Sequence, residues 1–242
     1  MSSAAYMVRQ IGYVNRSFWR NPAAAFFTFA FPLMFLVLFN GIFGAAQFFV
    51  PGITAFSVVS ACYTNVAMQM TIAREEGVLK RVRGTPLPPS AYILGKVLHS
   101  TLIALLLVAI VATFGALFYD VDLPTAKAGP FLISVLVGSL SFSTLGLAIT
   151  SLVPNEDAAP AIVNATVIPL AFISDVFAQT DDMPGWMKTL GDVFPLKHFT
   201  ATLDASFPPE GTFEWSDVAF VGAWGVAGLL LAIRFFRWEP RR

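Results

Sequence analysis

Six stretches of this chain are nearly all apolar and about twenty residues long, the length that carries one α-helix across the hydrocarbon core of a bilayer. They fall at residues 23–44, 53–73 (after the sequence VPG), 91 or 97 to 119, 130–153, 158–177 and 215–236. Composition points the same way, with 12% charged residues where a soluble domain carries about 25%. Residues 1–22 are mixed and amphipathic, whereas a signal peptide places a short apolar core soon after its first basic residues. Residue 23 onward is therefore read as a true span. Pro160 and Pro169 interrupt the fifth span, and Asp175 sits near its end. Ser90 is read as the N-cap of the third, behind Pro88 and Pro89.

Charge orients the spans. Arg9, Arg16 and Arg20 precede the first; Arg74, Lys80, Arg81, Arg83 and Lys96 lie between the second and third; Arg234, Arg237, Arg241 and Arg242 follow the sixth. An even number of spans puts all of these on one side. The other side holds Lys127, Lys188 and Lys197 among Asp120, Asp122, Asp181, Asp182, Asp192, Asp204, Glu210 and Glu214. The positive-inside rule then places both termini and the 74–96 loop in the cytoplasm. Two segments are amphipathic without spanning. Residues 6–20 carry Tyr6, Ile11, Tyr13, Val14, Phe18 and Trp19 among basic residues, which suits an interfacial helix; a free tail is the plainer alternative. Residues 178–214, with Trp186, Leu190, Val193, Phe194 and Phe199, are too polar to span and too apolar for a free loop, so short helices dipping into the outer leaflet are expected.

Several chemistries are excluded. The Gly95-Lys96 pair lacks the rest of a phosphate-binding loop, and there is no H-E-x-x-H or G-x-S-x-G. His99 and His198 fall on opposite sides of the membrane and read as structural, and Cys62 reads as a small packing residue. A carrier driven by protons or sodium keeps ionisable groups in its spans, and here the span middles hold only uncharged polar residues: Asn40, Asn65, Gln69, Ser139, Ser141, Ser143, Thr144, Asn164 and Thr166. Asn65 and Gln69 share a helix face. They either line a path for a substrate or bond a neighbouring helix. Phe27, Phe31, Phe35 and Phe39 recur every four residues, as lipid contact or as a greasy wall for a hydrophobic substrate. The chain thus has spans and no energy source of its own.

The loop REEGVLKRVRGTPLPPSAYILGK, residues 74–96, is where an energy source would attach. Glu75 to Arg83 reads as a short helix with Val78, Leu79 and Val82 on one side and Lys80, Arg81 and Arg83 largely on the other. Gly84 and Pro86 end it. Such a helix either presses its apolar ridge into a soluble partner or binds anionic headgroups and fixes orientation. The residues alone leave both readings standing.

The loop resembles the signature of the ABC-2 family of ABC transporter permeases, with Arg74, Glu75, Gly77, Leu79, Thr85, Pro86, Leu87, Gly95 and Lys96 at matching positions. Lys80 stands where many members carry an acidic residue, a basic variant similar to actinobacterial drug-resistance permeases. MPGWMKTLGDVFPLKHF resembles the family's outer re-entrant segment, with Phe194 where many members have Asn. The resemblance covers essentially residues 1–242 as one transmembrane domain. It implies an all-α polytopic protein of the bacterial inner membrane: an N-terminal interfacial helix, six transmembrane helices, a cytoplasmic coupling helix and outer re-entrant helices before the last span. It implies two ATP-binding subunits docked at Glu75, Glu76, Gly77, Val78, Leu79, Val82, Arg83, Thr85 and Pro86, with ATP and magnesium held there and no cofactor on this chain. It also implies a second permease chain, identical or paralogous, and no nucleic-acid partner. The expected cargo is a hydrophobic or amphipathic small molecule, drug or lipid, passing Phe27, Phe31, Phe35, Asn65, Gln69 and Asn164. The alternatives are a membrane anchor that binds an ATPase without transport, a polysaccharide or glycolipid exporter, and a stand-alone carrier.

Overall fold

A computed structural model describes residues 3–85, 87–177, 183–208 and 210–239. Pro86, Asp181, Asp182, Pro209, Arg241 and Arg242 lie outside the described residues. Those described form helices, with no strand among them: α1 (Ser3–Trp19), α2 (Pro22–Phe43), α3 (Ala46–Val59), a π-helical turn (Ser60–Thr64), α4 (Asn65–Glu75), α5 (Val78–Arg83), α6 (Pro89–Tyr119), α7 (Ala128–Ile149), α8 (Ala159–Phe172), α9 (Gly185–Val193), α10 (Pro195–Asp204) and α11 (Trp215–Phe235). Five runs are long and apolar enough to cross a membrane: residues 25–43, 46–75, 89–119, 128–149 and 215–235.

The expected fifth span is shorter than its apolar run. α8 has 14 residues, about 21 Å of helix against a hydrocarbon core of about 30 Å. The chain then continues without helix through Ile173, Ser174 and Val176, which are buried in protein. Non-helical backbone at membrane depth is tolerated in such surroundings. Asp175 turns there with φ 56°. The second span starts earlier than expected, with Pro51 and Gly52 inside α3, and the π-helical turn joins it to α4. Ser90 is not the cap of α6: Pro88 holds the cap position in extended conformation and Pro89 opens the first turn, where its missing N–H has no cost.

The chain has a basic end and an acidic end. α1 lies at the basic end along the start of α6, with Gln10 against Gly95 and Phe18 5.7 Å from the His99 ring. Its other face keeps Tyr13 and Trp19 exposed, as an interfacial helix requires. α9 and α10 form a helical hairpin at the acidic end of the chain. Its tip reaches the middle of α11, where Trp224 Nε1 donates to Val193 O at 3.1 Å. Phe199 packs on Phe142 and over Gly138 of α7. Lys127 ties down the far end of the hairpin through the carbonyls of Ala205, Pro208 and Gly211 at 2.8, 2.9 and 2.6 Å. His198 Nδ1 lies 2.6 Å from Asp217 Oδ1 and joins α10 to the first turn of α11.

α7 and α11 pack most closely of all the helices. Without a hydrophobic drive in lipid, helices associate through close contact and polar bonds, which favours small residues. Thr144 donates to the Gly225 carbonyl at 2.8 Å. A Cβ on Gly225 would sit 2.8 Å from Ser141 Cβ and 2.9 Å from its Cα. Gly225→Leu is therefore expected to push the pair apart and lower stability by about 1–3 kcal/mol, read as a lower melting temperature in detergent. Gly222→Ala, whose new Cβ meets nothing closer than Val137 at 3.7 Å, should melt as wild type does.

Candidate functional site

The charged loop is built onto the core by Arg74. This guanidinium is 2% exposed. Its Nε donates to Glu75 Oε1 at 2.9 Å, Nη1 to Thr150 O at 3.0 Å, and Nη2 to Val153 O at 2.9 Å and Pro154 O at 3.3 Å. The planar fork meets several acceptors at once, as a lysine could not. It fastens the end of α4 to the turn between α7 and α8. Glu75 closes α4, Glu76 is exposed, and Gly77 turns the chain with φ 70°. A residue with a Cβ is strained at that angle. The expected helix over 75–83 therefore splits, and only 78–83 form α5.

The expected docking ridge faces inward, which corrects the reading of Val78, Leu79 and Val82 as an outer surface. Leu79 is fully buried among Val66, Met70, Tyr92, Val97, Leu147 and Ala232, and Val78 and Val82 pack on the same cluster. In a protein with so little soluble surface, the chain's own core takes the apolar side of a short helix first. The outer face is Glu76, Lys80, Arg81, Arg83, Gly84 and Thr85. Thr85 donates to Val82 O at 2.7 Å and caps the turn, and Arg83 lies 5.9 Å over the Trp238 ring. Residues 236–238 thus tuck under α5, a contact signalled in the sequence only by aromatics in a basic tail.

The expected path residues are divided. Phe31 and Phe35 belong to an aromatic ladder: Phe31–Phe35 at 4.7 Å, Phe35–Phe39 at 5.6 Å, and Phe35 and Phe39 stacked on Phe177 at 5.6 and 5.5 Å. Phe27 is not in it; it is 65% exposed beside Phe26. Gln69 Nε2 donates to Asn65 Oδ1 at 2.7 Å, and Lys96 Nζ to Gln69 Oε1 at 2.6 Å. Asn164 is exposed on α8.

None of these six residues lines a cavity of about 570 Å³ that is bordered by α7, α8, α11, the π-helical turn and the hairpin tip and open on one side. Tyr63, Phe142, Thr166, Phe194 and Trp224 face it, with Arg237 at its basic end. Its size suits a small-molecule site, typically about 300–1,000 Å³. The Tyr63 and Thr166 hydroxyls pair at 2.8 Å on its wall. The one sequence signal for this was a tyrosine in mid-span, whose hydroxyl needs a partner when buried.

The sequence model of the ABC-2 type transporter family matches residues 11–207. The chain is similar to the daunorubicin resistance ABC transporter permease protein DrrB1 of Streptomyces coeruleorubidus, 28% identical over 221 residues, which is 85% of this chain and 77% of that protein. It is similar to the putative transport permease YvfS of Bacillus subtilis (strain 168), 27% identical over 60% of this chain and 59% of that protein. It is also similar to the probable multidrug ABC transporter permease YbhR of Escherichia coli (strain K12), 25% identical over 63% of this chain and 41% of that protein. The chain thus spans less than two thirds of the length of the last two.

Proposed function

The chain belongs to the ABC-2 type transporter family, and from that membership we propose that it is the permease of an exporter which moves a hydrophobic or amphipathic small molecule out of the cytoplasm or inner leaflet. It is a multi-pass membrane permease, and the family implies an ATP-binding partner that supplies the energy. In this reading two ATP-binding subunits, which hold the ATP and magnesium, dock below two permease chains with their termini in the cytoplasm. The sister permease covers α2, α3–α4 and α8. Long apolar faces on α2 and α8 support this, since Met34, Leu38, Ile42, Ile168 and Phe172 are exposed within one chain.

The observation that carries the proposal is the mounting of α5. Leu79 seats it in the core, and Arg74 ties the adjoining end of α4 to the turn before α8. Its basic face stays open. A partner that grips Lys80, Arg81 and Arg83 and closes on ATP moves α4, α6 and the α7–α8 turn together. The aromatic ladder and the Asn65–Gln69 pair then rearrange, and the cargo leaves on the acidic side.

The test is the double charge reversal Arg81→Glu with Arg83→Glu. Both residues are exposed, so the isolated permease should stay folded and lose at most the small contribution of Arg83 over the Trp238 ring. Affinity for the ATP-binding subunit should fall about tenfold or more, the factor that each 1.4 kcal/mol of lost contact represents, and substrate-stimulated ATP hydrolysis should fall with it. Intact co-purification and full stimulation would sink the docking role. A non-transporting anchor would instead bind the ATPase and show no stimulation by any amphipath.

A further inference from the structure

Lys96 sits in the second turn of α6, inside the first stretch of a membrane-spanning helix. Its ammonium has three donors. It gives one to the Gln69 amide oxygen at 2.6 Å, and no carboxylate among the described residues pairs with it. The other inward-facing cations are provided for differently. Arg74 has a carboxylate and three carbonyls, and Lys127 has three carbonyls. Only Lys96 of these three is left with a single neutral acceptor.

The surroundings of Lys96 are polar and carry no negative charge. Gln69 spends its oxygen on the ammonium and donates its own amide to Asn65. One turn further along α6, His99 is 2% exposed and its Nε2 is buried without a hydrogen-bond partner. Buried polar atoms of this kind are rare, and each calls for an explanation. Asn65, Gln69 and Lys96 all remain partly exposed, and Ile72, on the Gln69 face of α4, is 41% exposed. The place therefore offers positive charge and the Gln69 amide beside an apolar flank, and it is open.

We propose that Lys96, with Gln69 and Asn65, holds the anionic head of an amphiphile, a carboxylate, phosphate or sulfonate on an apolar body, at the basic end of the transport path. This rests on the reading of Asn65 and Gln69 as path residues. An anionic oxygen replaces the Gln69 carbonyl as the acceptor for the ammonium, and it adds the attraction of opposite charges to a bond in which only the donor was charged. The released amide rotates and still donates. A cationic head brings like charge against the ammonium, with no carboxylate beside it to offset the repulsion. The same chemistry is carried by a cargo and by the headgroup of an acidic lipid.

Equilibrium binding to the full chain in phosphatidylcholine nanodiscs tests this with laurate and dodecylammonium, which share a tail and differ in head charge. Laurate should bind about tenfold tighter than dodecylammonium. Lys96→Gln should remove that preference and Lys96→Arg should keep it. Equal binding of the two heads by the wild-type chain overturns the proposal without relying on any variant, as does a Lys96→Gln chain that binds laurate normally; Lys96 is then a plain interfacial anchor. Phosphatidylglycerol that displaces laurate identifies lipid heads as occupants of the same site, and failure to displace it leaves the cargo as occupant; both results keep the site. Laurate-stimulated ATP hydrolysis in the assembled complex is a separate readout. Lys96-dependent binding without stimulation preserves this site and removes the export reading.

Discussion

Arg74→Ala will strip the basic end of the bundle of its main tie, with a loss of about 3–5 kcal/mol, the range for breaking a buried charged network by removing one partner. The carbonyls of Thr150, Val153 and Pro154 lose the guanidinium that meets them at 3.0, 2.9 and 3.3 Å, and Glu75 loses its counter-ion. Whole domains are stable by about 5–15 kcal/mol, so folded yield should drop sharply and the remaining protein should melt well below wild type. Arg74→Lys should fall between the two. It keeps the charge, but a point ammonium cannot span acceptors on both sides of the turn. Wild-type melting of Arg74→Ala would show that the turn before α8 is held by other contacts.

Leu79→Asp separates the two roles that Leu79 can play. If the side chain met a soluble partner, the isolated permease would tolerate the change and only the complex would fail. The structure places it at 0% exposure in the buried cluster that also holds Met70, Tyr92 and Leu147. A carboxylate cannot stay ionised there without a partner, so α5 should leave its seat. The permease alone should then lose several degrees of melting temperature, and coupling to the ATPase should fail with it. Leu79→Ala offers a graded version, at about 2–5 kcal/mol for a buried leucine. An unchanged melting temperature for Leu79→Asp would restore the outward-facing ridge.

Much of the architecture was legible in the sequence because membrane insertion reads local properties. Span length, charge bias and the position of α5 between two spans follow from residues near one another in the chain. The hairpin of α9 and α10 was legible as a segment of short helices that does not span. The boundaries that failed depend on backbone detail. Pro51 and Gly52 were read as lying ahead of the second span and proved interior to its helix, and Ser90 was read as a cap where Pro88 and Pro89 do the work. The helix over 75–83 was cut at Gly77 because a left-handed turn there costs glycine little.

The candidate site was legible as a location and not as a surface. Val78, Leu79 and Val82 were correctly grouped on one side of a helix, but periodicity cannot say what that side meets. Asn65 and Gln69 were paired by spacing, while their connection to Lys96, 27 residues from Gln69, needed two spans laid together. The cavity escaped notice because its wall is assembled from α7, α8, α11, the π-helical turn and the hairpin tip, segments far apart in the chain.

The amino-acid sequence by itself determined that this chain is a helical membrane protein and which end is basic. Hydrophobicity and charge are summed along the chain, and the bilayer acts on those sums. Only the tertiary structure decided which way α5 faces, that Arg74 is enclosed by four acceptors, and that Lys96 has one neutral partner. Those outcomes depend on which groups compete for the same buried acceptors, and that competition is settled between segments distant in the chain.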